Sequence, residues 1–200
     1  MRHPALHTGF VLSALALVCG LIISINHALT EARIQENERQ VKLARLNQLV
    51  PALLYDNDFL QDTLSLTNKR GETITAYRAR YSGAPIAVAF NVIVPDGYNG
   101  RIDLLVAIRV DGTLLGARVL GHRETPGLGD DIDQARSNWI YDFNGRSLTQ
   151  PAPDAWRVKK DGGVFDQFTG ATISPRAVVK GIKQSLLFFQ DNKAQLFADA

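Results

Sequence analysis

The sequence predicts an α+β protein with an N-terminal transmembrane helix, a helical stem and one domain built on a mainly antiparallel sheet. Three observations support this fold class. A charge-free apolar segment lies near the N-terminus, strand-length apolar segments separated by turn residues fill the middle, and an amphipathic helical pattern lies near the C-terminus. The predicted divisions are a short terminus (residues 1–8), the membrane helix (9–29), the stem (30–54) and the domain (55–200).

The predicted membrane helix rests on an absence of charge, because residues 8–30 contain no Asp, Glu, Lys or Arg. The apolar centre of this segment is long enough to cross a ~30 Å hydrocarbon core as a helix. A cleaved signal peptide with Arg2 ahead of it is the main alternative. No clear Ala-x-Ala site follows, and polar helix-forming residues do, so the sequence favours a retained single-pass anchor.

The orientation of that anchor is not fixed by charge, since basic residues are nearly balanced on its two sides. We expect a bacterial inner-membrane protein with a cytoplasmic N-terminus and a periplasmic C-terminal domain.

Residues 31–54 form the predicted stem, with an apolar stripe and an interruption at Pro51. A spacer that lifts the domain off the membrane and a helix that binds a partner both fit this stem.

The composition excludes several classes of protein. A net charge of +2 is too small to indicate a nucleic-acid surface. Cys19 is the one cysteine, so an intrachain disulfide and a cysteine-rich metal cluster are both excluded. His122 lies near three aspartates, but the spacing matches no recognised metal site. Those aspartates, at positions 130, 131 and 133, are predicted to begin the next helix, where negative charge is favourable.

The middle of the chain predicts strands at residues 86–94, 102–110 and 114–120. Asp111-Gly112 separates the last two and is typical of a tight hairpin. Two further elements are predicted beyond the hairpin. One is a helix with four residues on one face, and the other is a short strand over residues 156–158. The four residues of that helical face are Ile132, Ala135, Trp139 and Ile140.

The segment from Asp166 to Pro175 predicts the start of a C-terminal helix. Ser174 is a good N-cap and Pro175 a good first helical residue. Gly170 and Ala171 carry almost no side chain, and Thr172 offers a hydroxyl where free amides favour an anion such as phosphate. By these properties alone the segment is either a phosphate site or an ordinary turn. The helix after it has a regular apolar stripe, formed by Val178, Ile182, Leu186 and Phe189.

The same segment resembles the acceptor motif of flavin transferase substrates. Asp166, Thr169, Gly170, Ala171 and Thr172 fill every defined position of that motif. The resemblance implies that FMN is attached covalently to Thr172 through its phosphate, by a phosphoester bond that a separate flavin transferase makes from FAD. It implies no metal and no catalytic acid, base or nucleophile beyond Thr172 as the attachment point.

A glycine-rich loop at residues 121–130 is the second candidate part of the site. Its three glycines allow close approach of a ligand to the backbone. We expect Glu124 and Thr125 to hydrogen-bond an isoalloxazine edge or a ribityl hydroxyl, and Leu128 to cover a ring face. A surface connection without a ligand fits this loop equally well.

Taken together, these features resemble the G subunit of the Rnf (Rsx) electron transport complex. The resemblance is carried by the N-terminal anchor, Tyr98-Asn99-Gly100, residues 124–129, Trp139 and residues 162–166. It implies an extracytoplasmic FMN-binding domain that relays electrons between neighbouring subunits of a complex that moves ions across the membrane. No independent catalytic turnover is expected of this redox subunit.

Two alternatives to this family stay open from the sequence. The C subunit of the sodium-pumping NADH:quinone oxidoreductase carries the same kind of acceptor motif, and would leave the electron-relay function unchanged. A membrane-anchored binding or assembly module with an unmodified Thr172 would be a different class of protein.

Overall fold

The computed structural model describes residues 4–68 and 70–198. The chain separates into two compact units, which divide between Lys42 and Leu43. The first long helix, α1 (Pro4–Asn47), crosses this division, so its last turn belongs to the second unit. The division that the sequence predicts between stem and domain, at residues 54 and 55, stays a prediction.

The first unit is the N-terminal part of this continuous helix, with apolar side chains exposed around it. Phe10, Leu17 and Leu29 are each more than two-thirds exposed, although their side chains favour an apolar environment. One described helix, His7–Asn47, is long and apolar enough to cross a membrane. The predicted membrane helix and most of the predicted stem therefore form a single helix, which ends ahead of Pro51.

The second unit is built on one antiparallel sheet whose five strands lie side by side in sequence order. The three strands predicted from the sequence are confirmed, and two strands before them were not predicted. Over much of both strands polar residues alternate with apolar ones, a pattern that is typical of strands and was missed. The strands are β1 (Thr63–Thr67), β2 (Thr73–Tyr81), β3 (Ala84–Gly97), β4 (Gly100–Arg109) and β5 (Leu114–Gly121).

Strand β4, which lies between β3 and β5, is buried on both faces, which explains its nearly continuous apolar sequence. Alternate residues of a strand point to opposite faces. One face contributes to the larger core through Ile102, Leu104, Val106 and Ile108. The other face contributes to a smaller core through Leu105 and Ala107. The segment at the end of α1 supplies three more residues of this smaller core, namely Leu46, Leu49 and Val50.

The C-terminal helix α2 (Ile173–Leu196) packs on the larger core, and the predicted helix and its apolar stripe are confirmed. Val178, Ile182, Leu186 and Phe189 are all buried. Between them, Gly181 brings the helix backbone against β3, because a Cβ at this position would overlap Val94 Cγ2. The position of α2 relative to the sheet is therefore fixed by close contact at its middle.

The predicted helix through residues 132–140 is wrong. Two 3-10 turns, Gly129–Ile132 and Trp139–Phe143, take its place, and Ala135 is exposed. Side chains bind the intervening backbone instead: Asp133 Oδ1 accepts the Ala135 N–H, and the Ser137 hydroxyl donates to the Asp131 carbonyl. Such local bonds compete with helical ones. Asp130 and Asp131 do lie in the first of these turns, as acidic residues at its start.

The predicted strand at residues 156–158 is also wrong. Val158 makes one isolated parallel bridge to Phe165, and the chain around it forms 3-10 turns at Pro153–Ala155 and Lys159–Asp161. Trp156 turns into the core, where its indole N–H donates to the Ser147 carbonyl at 3.0 Å. This segment is held by aromatic packing and by local backbone hydrogen bonds to residues 163–165, without forming a regular strand.

We expect Gly181→Ala to lower the free energy of unfolding by about 1–3 kcal/mol, because overpacking a close contact strains the surrounding core. A glycine-to-alanine change at an unconstrained helical position would instead stabilise by about 0.5–1 kcal/mol. The measurement is chemical unfolding of the full chain in detergent, followed by the fluorescence of Trp139 and Trp156.

The matched control for this prediction is the same substitution combined with Val94→Ala, which removes the methyl group that the new Cβ would meet. In the Val94→Ala background, Gly181→Ala should lower the free energy of unfolding much less than it does in the wild-type background. An equal decrease in the two backgrounds would show that the Gly181–Val94 contact does not fix the helix.

Candidate functional site

A surface pocket of about 200 Å³ brings together most of the residues that the sequence singles out. Its lining comes from three segments that are far apart in the sequence: the β3–β4 turn, the loop after β5 and the start of α2. Six of the eight predicted site residues line it: Glu124, Thr125, Leu128, Gly170, Ala171 and Thr172. The pocket also includes four residues outside that set: Tyr98, Gly129, Ile173 and Ser174.

The acceptor segment forms a tight turn that leads directly into α2. Gly170 has a φ of +80°, which favours glycine, and the Ala171 N–H donates to the Phe168 carbonyl at 3.1 Å. Thr172 follows as the residue before the helix and is half-buried. Its side chain makes no capping hydrogen bond to the helix. The Thr172 hydroxyl is therefore not used to begin α2.

The prediction that Ser174 caps the helix is wrong, because α2 begins at Ile173 and Ser174 lies inside its first turn. The buried Ser174 hydroxyl donates instead to the Glu124 carboxylate, a partner fifty positions earlier in the chain. Pro175 still lies in the first turn, where a backbone N–H would lack an intrahelical partner. The local sequence pattern could not reveal the long-range partner of Ser174.

An aromatic cluster supports the acceptor turn from the core side. Trp139 lies edge-on to Phe168, with ring centroids 5.3 Å apart, and its indole N–H donates to the Asp166 carbonyl at 2.8 Å. Phe143 and Phe165 continue the cluster, stacked with centroids 4.5 Å apart. The turn that carries the Thr172 hydroxyl is thus held by buried rings and by a hydrogen bond to its backbone.

The loop after β5 forms the opposite wall of the pocket. The N–H groups of Leu128 and Gly129 both donate to the Thr125 carbonyl, at 3.1 and 3.2 Å, and so close a compact turn. Buried Asp130 stabilises this turn by accepting the Gly127 N–H at 2.7 Å. Leu128 remains 46 % exposed, with its side chain near Gly170 across the pocket.

Glu124 is buried beneath the pocket and joins the three segments that form it. Its Oε1 atom accepts the backbone N–H of Asn99 at 3.2 Å, and its Oε2 atom accepts the hydroxyl of Ser174. The neighbouring Thr125 hydroxyl accepts the Asn99 side-chain amide at 3.0 Å. Each oxygen of the Glu124 carboxylate thus already has one protein partner.

Two ion pairs join exposed side chains of α2 to the chain around the site. Arg176 in the first turn binds Asp161 through two hydrogen bonds, at 2.6 and 2.9 Å, which lower the pKa of Asp161. Lys180 binds Asp96 at the end of β3, and that hydrogen bond lowers the pKa of Asp96. Both pairs are solvent-accessible, so they orient side chains more than they stabilise the fold.

Two predicted site residues, Asp166 and Thr169, do not line the pocket. Thr169 is exposed on the turn, and the Asp166 carboxylate points to Lys159, with its Oδ1 atom 2.5 Å from Nζ. Tyr98 lines the pocket but was not predicted as a ligand. It could have been found from the sequence, because it belongs to the Tyr98-Asn99-Gly100 turn that carries part of the family resemblance.

A larger cavity of about 450 Å³ lies between β1–β3 and the outer part of α2. The eight predicted site residues are all described by the structure, and none of them lines this cavity. Its size alone does not identify it as the functional site. The smaller pocket contains the hydroxyl at the start of α2 and the loop that faces it, so the candidate chemistry lies there.

Comparisons with known proteins identify the domain that contains this pocket. The family model described as the FMN-binding domain matches residues 97–187, a range that contains every residue lining the pocket. The model described as the RnfG N-terminal region matches residues 1–49. The fold and the site therefore define a protein with an FMN-binding domain that follows a long apolar N-terminal helix.

Relatives over the full length identify the family. This chain is similar to proteins named as the G subunit of the ion-translocating oxidoreductase complex. The protein from Shewanella baltica is 44 % identical, over 99 % of this chain and 95 % of the relative. The protein from Vibrio atlanticus is 46 % identical, over 99 % of this chain and 96 % of the relative, and the one from Vibrio cholerae serotype O1 strain M66-2 is 47 % identical, over 94 % of this chain and 91 % of the relative. The chain belongs to this G-subunit family of ion-translocating oxidoreductase complexes, which confirms the resemblance found in the sequence.

Comparison with solved structures gives a partial overlap. The overlapping structure is the C subunit of the Na⁺-translocating NADH-quinone reductase from Parabacteroides distasonis, with 18 % identity, a TM-score of 0.44 and 64 % of each chain covered. This overlap is too low to support a conclusion about function.

Proposed function

We propose that this protein is the electron-transfer subunit of an ion-translocating membrane complex and carries FMN bound covalently through its phosphate to Thr172. The observation that carries the proposal is the position of the Thr172 hydroxyl. It lies at the start of α2, lines the pocket and makes no capping bond to the helix. The family supports the same function, because its members are named as subunits of such complexes.

Attachment to Thr172 is a balanced group transfer from FAD. The Thr172 oxygen forms a bond to the phosphorus of the FMN half, the bond from that phosphorus to the AMP half breaks, and AMP leaves. The hydroxyl proton is released, and no electrons are exchanged. We propose that a separate flavin transferase carries out this step, as the acceptor motif implies.

The start of α2 suits the phosphodiester that would result. The first N–H groups of a helix lack intrahelical partners and carry the positive end of its dipole, so they favour a negative charge. The backbone at Gly170 and Ala171 carries little side chain, which leaves room for the phosphate beside Thr172. These residues would hold the phosphate end of FMN.

The facing loop suits the ring end of FMN. The Thr125 hydroxyl accepts a bond from Asn99 and can still donate one, and exposed Leu128 presents an apolar surface. At about 200 Å³ the pocket is smaller than the roughly 300–1,000 Å³ typical of ligand sites. We therefore propose that Thr125 and Leu128 contact only part of the flavin, and that the remainder stays accessible for electron exchange.

The bound flavin would supply the redox chemistry, and the protein would position it and tune its potential. Neither an independent turnover nor a metal is needed for this relay. Of the two alternatives, the C subunit of a sodium-pumping NADH:quinone oxidoreductase is not favoured, because the full-length relatives are named as the G subunit of a different complex. A non-redox assembly module is distinguished by the absence of a bound flavin.

We propose that α1 is retained as a single-pass anchor in a bacterial inner membrane, with the domain on the periplasmic side and other subunits of the complex as partners. The exposed apolar side chains of α1 support this anchor, since they require a lipid environment.

The orientation can be tested by fusing alkaline phosphatase, which is active on the periplasmic side, to the C-terminus of the chain. The fusion should be an active enzyme, and an inactive fusion present in the membrane would contradict this orientation.

Thr172→Ala should abolish covalent FMN, because it removes the oxygen that forms the phosphoester bond. The full chain would be co-expressed with a flavin transferase, denatured, separated by electrophoresis and imaged for flavin fluorescence. Wild type should give a fluorescent band at the mass of the chain, and Thr172→Ala should give none. Thr172→Ser, which keeps a hydroxyl, should retain part of the labelling.

Thr63→Ala is the control for this experiment. It removes the same kind of side chain from β1, where Thr63 is exposed and lies outside both the acceptor motif and the pocket. The fluorescent band should therefore survive in Thr63→Ala. An unlabelled wild-type chain, with the transferase shown to be active on another substrate, would contradict covalent attachment and favour the assembly module.

Leu128→Ala should raise the midpoint potential of the bound flavin, because removing an apolar cover lets water stabilise the charged, reduced form. We expect a shift of roughly 30 mV, which corresponds to about 1.4 kcal/mol for a two-electron couple. Leu187→Ala is a control, since Leu187 has similar exposure (41 %) but lies in the larger cavity. Equal potentials in Leu128→Ala and wild type would count against this contact.

A further inference from the structure

We propose that Glu124 is a positioning residue for the attachment of FMN, acting through Ser174 and Asn99 and not by contact with the reacting atoms. This inference rests on the proposed function and assigns Glu124 a different role from the flavin contact expected from the sequence. Its starting point is that a carboxylate 5 % exposed lies beneath the pocket with both oxygens bonded to protein groups.

The two partners of Glu124 come from the other two segments that form the pocket. Asn99 belongs to the β3–β4 turn, and Ser174 belongs to the first turn of α2. Hydrogen bonds to an ionised carboxylate are stronger than neutral ones, and breaking one leaves a buried charge without its partner. A single side chain therefore fixes the distances among the three segments.

Gly129 shows how closely these segments approach each other. A Cβ built on Gly129 would lie 2.7 Å from Ser174 Oγ and 2.8 Å from Glu124 Oε2. The backbone of the loop thus packs directly on the Glu124–Ser174 pair. A shift of either partner would have to move the loop, because no side chain lies between them that could change its rotamer.

The consequence for Thr172 follows from the chain itself. Thr172 is two residues before Ser174, and its carbonyl accepts the Arg176 N–H at 3.2 Å as part of the same helical turn. Fixing Ser174 therefore fixes the turn that carries the Thr172 hydroxyl. Group transfer is sensitive to small displacements of the attacking atom, and about 1 Å can cost roughly a hundredfold in rate.

The test is the rate at which purified flavin transferase, supplied with FAD, labels the full chain in detergent, measured as flavin fluorescence of the denatured protein. Glu124→Ala and Ser174→Ala should each lower the maximal rate about tenfold, with little change in the chain concentration that gives half the maximal rate. Thermal melting by tryptophan fluorescence would verify that each variant is folded. Ser174→Ala removes only one oxygen atom, so it provides the test if Glu124→Ala does not fold.

Two further variants separate positioning from other roles. If Glu124 acts through Ser174, the double variant should be labelled no more slowly than Glu124→Ala alone, because effects of coupled residues are not additive. Glu124→Gln can still accept from Asn99 and can donate to Ser174, so it should be labelled at least about threefold faster than Glu124→Ala. Ser185→Ala is the matched control, because Ser185 is a buried serine of the same helix whose hydroxyl donates to the Gly181 carbonyl away from the pocket, and it should be labelled within about twofold of wild type.

The outcomes distinguish this inference from the proposed function. Three results would each overturn the positioning role while leaving FMN attachment intact. They are wild-type labelling rates for Glu124→Ala and Ser174→Ala, additive losses of labelling rate in the double variant, and a Glu124→Gln variant that is labelled as slowly as Glu124→Ala. An unlabelled wild-type chain would overturn both proposals.

Discussion

The packing of α2 on the sheet is the constraint on which the rest of the domain depends. The buried stripe of the helix contacts the larger core, and Gly181 lets its backbone approach Val94 of β3 with no side chain between them. Because the helix is rigid, contact at its middle also sets the position of its first turn. That turn follows directly on Thr172, so the geometry of the candidate site depends on how α2 packs on the core.

The sheet can hold the helix in this way because β4 and the middle of β3 are buried on both faces. The segment at the end of α1 covers the face opposite α2, where Leu46, Leu49 and Val50 contact the central strands. A strand packed on both sides resists displacement, since interiors are close-packed and movement of one side chain disturbs its neighbours. The pocket is formed by the turns that connect these packed elements and by the start of α2.

The pocket combines a rigid attachment point with a shallow cavity, which is a reasonable arrangement for an electron carrier. A covalent bond at Thr172 would remove the need for a deep site, because the cofactor could not dissociate. The facing loop could then leave part of the ring accessible to a redox partner. Membership in the G-subunit family agrees with this arrangement, since such a protein works inside a larger membrane complex.

The sequence by itself determined the elements whose signals are local. It predicted the long apolar helix, the strands β3, β4 and β5, the amphipathic α2 and the acceptor motif, because periodicity and turn residues depend only on near neighbours. The tertiary structure decided the rest. Ser174 looked like a cap but bonds to Glu124, and the segment at residues 132–140 looked helical but is held by its own Asp and Ser side chains. A partner fifty residues away leaves no local pattern, so only the folded chain shows that Glu124 joins the segments of the site.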